Sequence, residues 1–471
     1  MQNKLYSKAY EMYAEQDYEE ALRLIREYRK HLRKKSFLYK NDHEQVEHEY
    51  EIKMFEGKIL LHMGDYEEAE QIYSDMRQQL RGASATNNDH LRAELSYHLA
   101  DIAAMKGDRQ NQLALLQQSK QEFEQAKYYK EAIDIMFDIG ATSEMAKDQL
   151  VDHYKEIINL SKSLKNKDLV KLNSARARLE IGYLLRQGDI KVASQFLILA
   201  HKDFERLDQT ELKLRAILLL ADLKAITELS RAVEILENTL KEIEPTNHHY
   251  PVVNSKLAGF YLRGGKVDKA LHYFDAVDLG ASETSLDLAN SLLETAKSGV
   301  LTSEDNEILQ RSLDFATTAN NIYDQVDLKI GKAIGYLIEG IASYQLQQES
   351  GDNSKLQLIH FLAKKIDTEY NYKVDPWMQH IVQYLADSDL DVYQITSKLP
   401  VQDDIPSMMQ NAEILHLLGL YKLSSTELET AHSLLDSSRS LYVEATKKTG
   451  NFKGLMQNIE RQVEKSMPSS H

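Results

Sequence analysis

The sequence contains no cysteine, and only 6 prolines and 19 glycines among its 471 residues. The absence of cysteine excludes disulfides, thiolate metal sites and cysteine nucleophiles, and it is compatible with a reducing cytoplasm. Because proline and glycine are both scarcer than average usage, the composition favours long helices over sheets. The strongest apolar clusters, such as residues 216–221, are far shorter than the roughly 20 residues of a membrane-spanning helix. We therefore expect a helical, cytoplasmic chain without membrane insertion.

Sequence motifs for chemistry are also missing. No glycine-rich loop has the spacing that cradles a nucleotide phosphate. The first residues lead directly into charged helical sequence, without the apolar segment of a signal peptide and without a helix-turn-helix domain before the repeats. The net charge of −16 opposes non-specific attraction to nucleic acid or to an anionic membrane. We expect no enzyme activity, no cofactor and no direct contact with nucleic acid.

One segment carries a clear repeat signature. In residues 57–73, two stretches with helical apolar periodicity flank the turn sequence Gly-Asp-Tyr-Glu-Glu-Ala. Gly57 lets the two helices approach closely, and Gly64 supplies the unusual backbone conformation of the turn. Ala69 is small where the helices cross, and Tyr66 and Tyr73 fill the space between them. This unit resembles the tetratricopeptide repeat (TPR).

The same pattern recurs elsewhere in the chain. Ala21 follows a turn in which the tyrosine is kept and the glycine is missing, and Gly265, Ala270 and Phe274 form a third copy. Degenerate copies carry their alanines at Ala193, Ala232 and Ala431. The separations between neighbouring alanines include 69 − 21 = 48, 232 − 193 = 39 and 270 − 232 = 38 residues. All exceed the standard period of about 34 residues.

The resemblance is to a long-period variety of the repeat, similar to the helical sensor domains of bacterial regulators. It implies an all-α fold, a right-handed α-solenoid of antiparallel helix pairs that forms a TPR-like superhelix. We predict a TPR-like array over residues 1–281, degenerate helical repeats over 282–410, and a C-terminal TPR-like pair with a capping helix over 411–464. Residues 465–471 are predicted to be a disordered tail.

The resemblance also implies where a partner would bind, since the first helix of each pair lines the concave surface of such arrays. Apolar and aromatic groups there would bury a partner's side chains, and charged groups would hold its polar atoms. Tyrosines at four- and three-residue spacing form an aromatic stripe on the first predicted helix, for which packing between helices is the competing interpretation. The candidate residues are Tyr6, Tyr10, Tyr13, Lys58, His62, Tyr97, Asp101, Arg178, Arg186 and Arg263.

Three other segments have an ordinary interpretation beside a functional one. His43 and His48 are five residues apart, and so differ by about 140° around a helix, which is the wrong geometry for shared zinc ligation. His248 and His249 alone make an incomplete metal site and are read as a polar linker, so no metal site is predicted. The basic stretch 26–35 fits acidic partners, but it equally fits cations at a helix C-terminus.

These observations favour an adaptor or scaffold that binds a protein or a short peptide in its helical groove. The alternative is a peptide-responsive cytoplasmic regulator that lacks its own DNA-binding domain and changes the shape of its superhelix when the ligand binds. An enzyme with a site that the sequence does not reveal is a third class, because a fold does not fix a function.

Overall fold

A computed structural model describes residues 2–33, 42–82, 89–186, 188–277, 285–346, 404–425 and 427–467, together with six isolated positions between 378 and 399. Within these ranges the chain forms twenty α-helices and no strand. The helices are α1 Gln2–Ala14, α2 Tyr18–Arg33, α3 Asp42–Met63, α4 Tyr66–Gly82, α5 Asp89–Met105, α6 Arg109–Gln125, α7 Tyr129–Thr142, α8 Lys147–Ser161, α9 Lys167–Leu185, α10 Ile190–Arg206, α11 Thr210–Thr227, α12 Leu229–Glu242, α13 Tyr250–Arg263, α14 Val267–Asp275, α15 Leu286–Thr302, α16 Asn306–Gln325, α17 Lys329–Leu346, α18 Ile405–Ser424, α19 Leu428–Thr449 and α20 Lys453–Ser466.

The helices pack as successive pairs joined by short turns. In the first pair, α1 and α2 are separated only by residues 15–17, a connection too short for anything but antiparallel neighbours. We call the odd-numbered helices from α1 to α17 the first helices, and the even-numbered helices from α2 to α16 the second helices. The predicted all-α, TPR-like arrangement of helix pairs is confirmed. The chain divides into two compact units, Met1–Ala177 (unit 1) and Arg178–His471 (unit 2).

The small residues of the repeat signature lie where the pattern predicts them. The alanines Ala21, Ala69, Ala193, Ala232, Ala270 and Ala431 are all fully buried. A methyl group on Gly57 would lie 2.5 Å from Cζ of the buried Tyr73, so only glycine permits this approach of α3 and α4. Gly64 has φ +82°, in the left-handed region that glycine favours. Gln16 takes the same place in the first turn and adopts φ +64° despite its side chain.

The C-terminal helices depart from simple stacking, in which each repeat contacts only its neighbours. Within unit 2, α18 packs against α11, α15 and α17, and α20 packs against α13 and α15. The amide Nδ2 of Asn451 donates to the Thr227 carbonyl at 3.0 Å, and Nδ2 of Asn458 donates to the Leu301 carbonyl at 3.0 Å. The last helices therefore cover first helices that lie far earlier in the chain.

The observed boundaries also refine the predicted ones. Helix α20 continues to Ser466, whose side chain is buried, so the first two residues of the predicted disordered tail are helical. Helix α18 begins at Ile405, with the Asp404 carboxylate accepting a hydrogen bond from the Ser407 amide at 2.9 Å. Most of residues 347–403, in the segment predicted to be degenerate repeats, lies outside the described residues. No described helix is long and apolar enough to span a membrane.

Candidate functional site

Aromatic side chains from α1 and α3 meet on the first-helix side of unit 1. The rings of Tyr10 and Tyr13 lie 5.3 and 5.4 Å from that of Phe55, and Tyr6 lies 5.9 Å from it. The ring of His62 lies 5.4 Å from Tyr13. We call these five residues the aromatic patch. Four of them were predicted from the sequence, and they belong to one surface rather than to separate places.

The aromatic patch is open to solvent at its outer edge. Tyr10 is 58% exposed, an unusual fraction for a ring that stacks on a neighbouring helix. Lys58 is exposed, and its Nζ lies 5.8 Å from the centre of the Tyr13 ring, within cation–π range. An apolar ligand group placed on Tyr10 would bury aromatic surface without disturbing Phe55, which is already covered. The patch therefore combines a rigid floor with an accessible edge.

Acidic side chains from the next two first helices of unit 1, α5 and α7, lie close together. The hydroxyl of Tyr97, on α5, hydrogen-bonds to Asp138, on α7. Asp134 lies one helical turn before Asp138, and its carboxylate is 3.7 Å from Arg176 on α9. Asp101 interacts electrostatically with both Tyr97 and Asp138. We call Asp101, Asp134 and Asp138 the acidic cluster.

A histidine partly offsets this charge. The ring of His98 lies 3.7 Å from the Asp101 carboxylate and 3.9 Å from that of Glu94. Burial alone would lower the pKa of His98, but hydrogen bonds to the two carboxylates outweigh it and raise the pKa to about 9. His98 is therefore protonated at neutral pH and counts as a cation.

The acidic cluster still has more negative than positive charge. Glu94 and the three aspartates face three cations, His98, Arg176 and Lys130, and the Arg176 guanidinium is stacked 4.0 Å from the Phe137 ring. Burial raises the pKa of Asp138, and the charges of Asp101 and Asp134 raise it further against the opposing effect of the Tyr97 hydrogen bond. A cation placed next to Asp138 would therefore stabilise the charged form of its carboxyl group.

The remaining predicted residues lie in unit 2 and have partners within the chain. Arg178 is 2.7 Å from the Asp203 carboxylate. Arg186, at the end of α9, stacks 3.6 Å from the Tyr183 ring and donates to the Tyr183 carbonyl at 2.7 Å. The role of both residues in binding stays a prediction.

Arg263 occupies a different environment from the exposed surface that the sequence suggested. Its side chain is only 14% exposed, with Nη2 2.9 Å from the Glu413 carboxylate of α18. Lys297 binds the other oxygen of Glu413 at 2.8 Å and also binds Glu294 at 2.8 Å. Arg263 is therefore part of a buried ion cluster that joins α13 and α15 to α18, and is not available to a partner in this structure.

Two first helices of unit 2, α13 and α15, are enclosed, whereas α5 and α7 of unit 1 are not. Eleven of the fourteen residues of α13 are buried, compared with six of the fourteen residues of α7. The difference follows from the packing of α18 and α20 against α11, α13, α15 and α17. Among the described residues, unit 1 thus offers the more accessible first-helix side.

Two arginines of the basic stretch, Arg26 and Arg29, pair with acidic side chains of the following helices, a use that the sequence did not predict. Glu56, on α3, has a side chain that is 1% exposed, and its carboxylate accepts from Arg26 at 2.9 Å and also from Arg29. Arg26 further pairs with Glu68 of the following helix. These two arginines neutralise a buried carboxylate and leave less positive charge for an external partner.

Sequence reasoning missed three residues of this surface. Phe55 lies on α3, three residues before the predicted Lys58. Asp134 and Asp138 lie four residues apart on α7. That spacing places two carboxylates on one helix face and was a usable signal. Residues 129–142 carry none of the strong repeat signature, so the register of α7 was not assigned.

Comparisons with known proteins give only distant similarities. No family model and no curated protein matches the chain. Among solved structures it is similar to the apo form of RapI, with 12% identity over 85% of this chain and 99% of that one and a TM-score of 0.33. It is also similar to a Rap protein complexed with Competence and Sporulation Factor (10% identity, 99% of each chain, TM-score 0.31) and to yeast Tom70 (10% identity, 100% and 97%, TM-score 0.32). The likeness is one of helical repeat architecture.

Proposed function

We propose that the chain is a peptide-binding adaptor, and that its ligand lies along the first helices of unit 1. The single observation that carries this proposal is the pairing of an exposed aromatic patch with an acidic cluster on successive first helices. Peptides are commonly recognised by apolar anchors in combination with a few charged contacts. The two features supply both kinds of contact.

The charges select among possible ligands. Because the acidic cluster has an excess of carboxylates, the ligand carries a lysine, an arginine or a free amino terminus at that position. Because Tyr10 exposes a large part of its ring, the ligand carries an aromatic or branched apolar residue at the other position. An acidic peptide would meet both the acidic cluster and the overall charge of −16.

A phage-displayed library of random dodecapeptides tests this specificity. Peptides selected on the full chain should be enriched in basic and aromatic residues. A selected peptide, labelled with a fluorophore and titrated by anisotropy, should lose at least tenfold in affinity with Asp138→Asn and at least threefold with Tyr10→Ala. Asp75→Asn is the matched control, because Asp75 is an exposed acid on the second helix α4.

The proposal fails if the selected peptides are acidic, or if Asp138→Asn and Asp75→Asn weaken binding equally. Salt gives a further check, because contacts between a basic ligand and exposed carboxylates are screened as ionic strength rises. Binding that is unchanged between 50 mM and 500 mM salt would contradict a charge-selected ligand.

The regulator alternative makes a different demand on the molecule. A ligand that switches the chain must bind two conformations with different affinity. Small-angle scattering of the full chain with and without a selected peptide distinguishes the two functions. An unchanged radius of gyration supports the adaptor, and compaction supports the regulator.

A further inference from the structure

Two histidines and a glutamate converge at the start of α11 and α13. Oε1 of Glu211 lies 3.1 Å from Nε2 of His248 and 2.5 Å from Nε2 of His249. The three groups each direct one possible ligand atom to the same point, and these atoms all lie within 4.8 Å of one another. The sequence shows only the adjacent histidines, and the third group comes from 37 residues earlier.

The loop that carries the histidines is held in place by its own hydrogen bonds. The Asn247 amide donates to the Glu244 carbonyl at 2.9 Å, and the Tyr250 amide donates to the Asn247 carbonyl at 2.8 Å. The Asn247 side chain also accepts from the His249 amide at 2.8 Å. With His249 only 3% exposed, its ring has little freedom to turn away. The ligand atom of His249 is therefore positioned before any ion arrives, and the more exposed Glu211 and His248 lie beside it.

The donor set indicates the kind of ion. Two imidazole nitrogens and one carboxylate oxygen suit zinc and neighbouring transition metals, whereas calcium and magnesium prefer all-oxygen sites. Bonds of about 2.0–2.1 Å in tetrahedral geometry place ligand atoms roughly 3.3 Å apart. The two separations from Oε1 of Glu211, 3.1 and 2.5 Å, lie within about 1 Å of that value, and all three ligand atoms lie within 4.8 Å of one another.

We propose that Glu211, His248 and His249 bind one divalent transition-metal ion of the zinc class, with water completing the coordination. The ion ties the first turn of α11 to the loop before α13, and so connects two successive helix pairs of unit 2. This site is independent of the peptide-binding surface proposed for unit 1. Its contribution is to conformational stability.

The surroundings of the buried histidine set the expected strength of binding. When Nε2 of His249 binds a metal, its proton is carried on Nδ1, and metal-bound histidines normally donate that proton to an acceptor. Nδ1 of His249 is buried and has no hydrogen-bond partner within the described part of the chain. Loss of such a partner typically lowers affinity by about 10–100-fold. We therefore expect weaker binding than at a zinc site whose histidines both donate to an acceptor.

The test is a titration of the tag-free, EDTA-treated full chain with Zn²⁺ by calorimetry and with Co²⁺ by visible absorption. The wild-type chain should bind one ion saturably, and the bound Co²⁺ should show d–d bands. Glu211→Gln and His248→Gln should each weaken binding at least tenfold. Both side chains are exposed enough for the variants to fold, which far-ultraviolet circular dichroism checks.

Glu234→Gln is the control, because Glu234 is an exposed acid of unit 2 that pairs with the exposed Arg231. It should bind Zn²⁺ like the wild-type chain. Saturating Zn²⁺ should raise the melting temperature of the wild-type chain and of this control, and not that of the other two variants. The proposal is overturned if no saturable site is found, or if Glu211→Gln and His248→Gln bind as tightly as the control.

Discussion

Replacing Glu413 by glutamine should strongly destabilise unit 2. Glu413 faces Arg263 and Lys297 at 2.9 and 2.8 Å, and the side chain of Lys297 is only 3% exposed. Burial raises the pKa of Glu413, but the two cations outweigh it and hold that pKa below its usual value. The carboxylate is therefore charged, and its removal takes away the anion that both Arg263 and Lys297 contact.

The size of the effect follows from that uncompensated charge. Breaking a buried ion pair by removing one partner costs about 3–5 kcal/mol, whereas an exposed pair contributes about 0–1 kcal/mol. Glu413→Gln should accordingly lower the free energy of unfolding of unit 2 by about 3 kcal/mol or more. Glu234→Gln, in an exposed pair with Arg231, should change it by less than about 1 kcal/mol.

Hydrogen exchange along a urea series, followed by mass spectrometry of peptides from α13 and α15, reports on unit 2 separately from unit 1. Adding Lys297→Met to Glu413→Gln restores equal numbers of positive and negative charges, and should recover at least half of the lost stability. The reasoning is refuted if Glu413→Gln resembles the surface control, or if the double variant is less stable than the single one.

Three further predictions concern the turns, the helix contacts and the histidines. Gly57→Ala should lower the melting temperature, because the clash with Tyr73 costs about 1–3 kcal/mol and outweighs the roughly 1 kcal/mol gain in helix propensity. Adding Tyr73→Leu, which removes the clashing ring, should reverse the loss. Gln16→Gly should raise the melting temperature slightly, because glycine removes about 1 kcal/mol of left-handed strain, and a decrease would contradict this. An NMR titration should show a pKa of about 9 for His98, raised by its two carboxylate neighbours, and of about 4 for His416, lowered by burial. In unfolding experiments along a pH series, the contribution of His98 to stability should be full below about pH 6.5 and lost as pH rises through 9. That of His416 should be full above about pH 6.5 and lost as pH falls toward 4.

The repeat signature predicted the local packing well because it consists of residues with a single physical solution. Gly64 marks a turn that needs a positive φ, and Ala69 marks a helix crossing that admits only a small side chain. Tyr10, Tyr13 and His62 came together as expected because helical periodicity fixes the face on which each side chain lies. Predictions of this kind need no knowledge of distant parts of the chain.

The environment of Arg263 could not be predicted in the same way. Its partner Glu413 is 150 residues further along, and the periodicity of α13 does not show which helix covers its outer side. The same limit applies to His249, because Glu211, whose carboxylate its ring contacts, precedes it by 38 residues. In both cases one sequence gives the chemical groups but not their pairing, because the loops between repeats set the pairing.

The covering of α13 and α15 by the C-terminal helices also changes how unit 2 should respond to perturbation. In a simple array each repeat interacts with its neighbours, so damage stays local and stability is nearly additive. Here the Asn458 side chain binds the Leu301 carbonyl, and Lys465 binds Glu304 at 2.7 Å, across more than 150 residues of chain. Such contacts form only when both segments are folded, so they make the folding of α13 to α15 dependent on α18 to α20. Unit 1 has no covering helices of this kind among its described residues, so we expect damage to one of its helix pairs to stay more local than in unit 2.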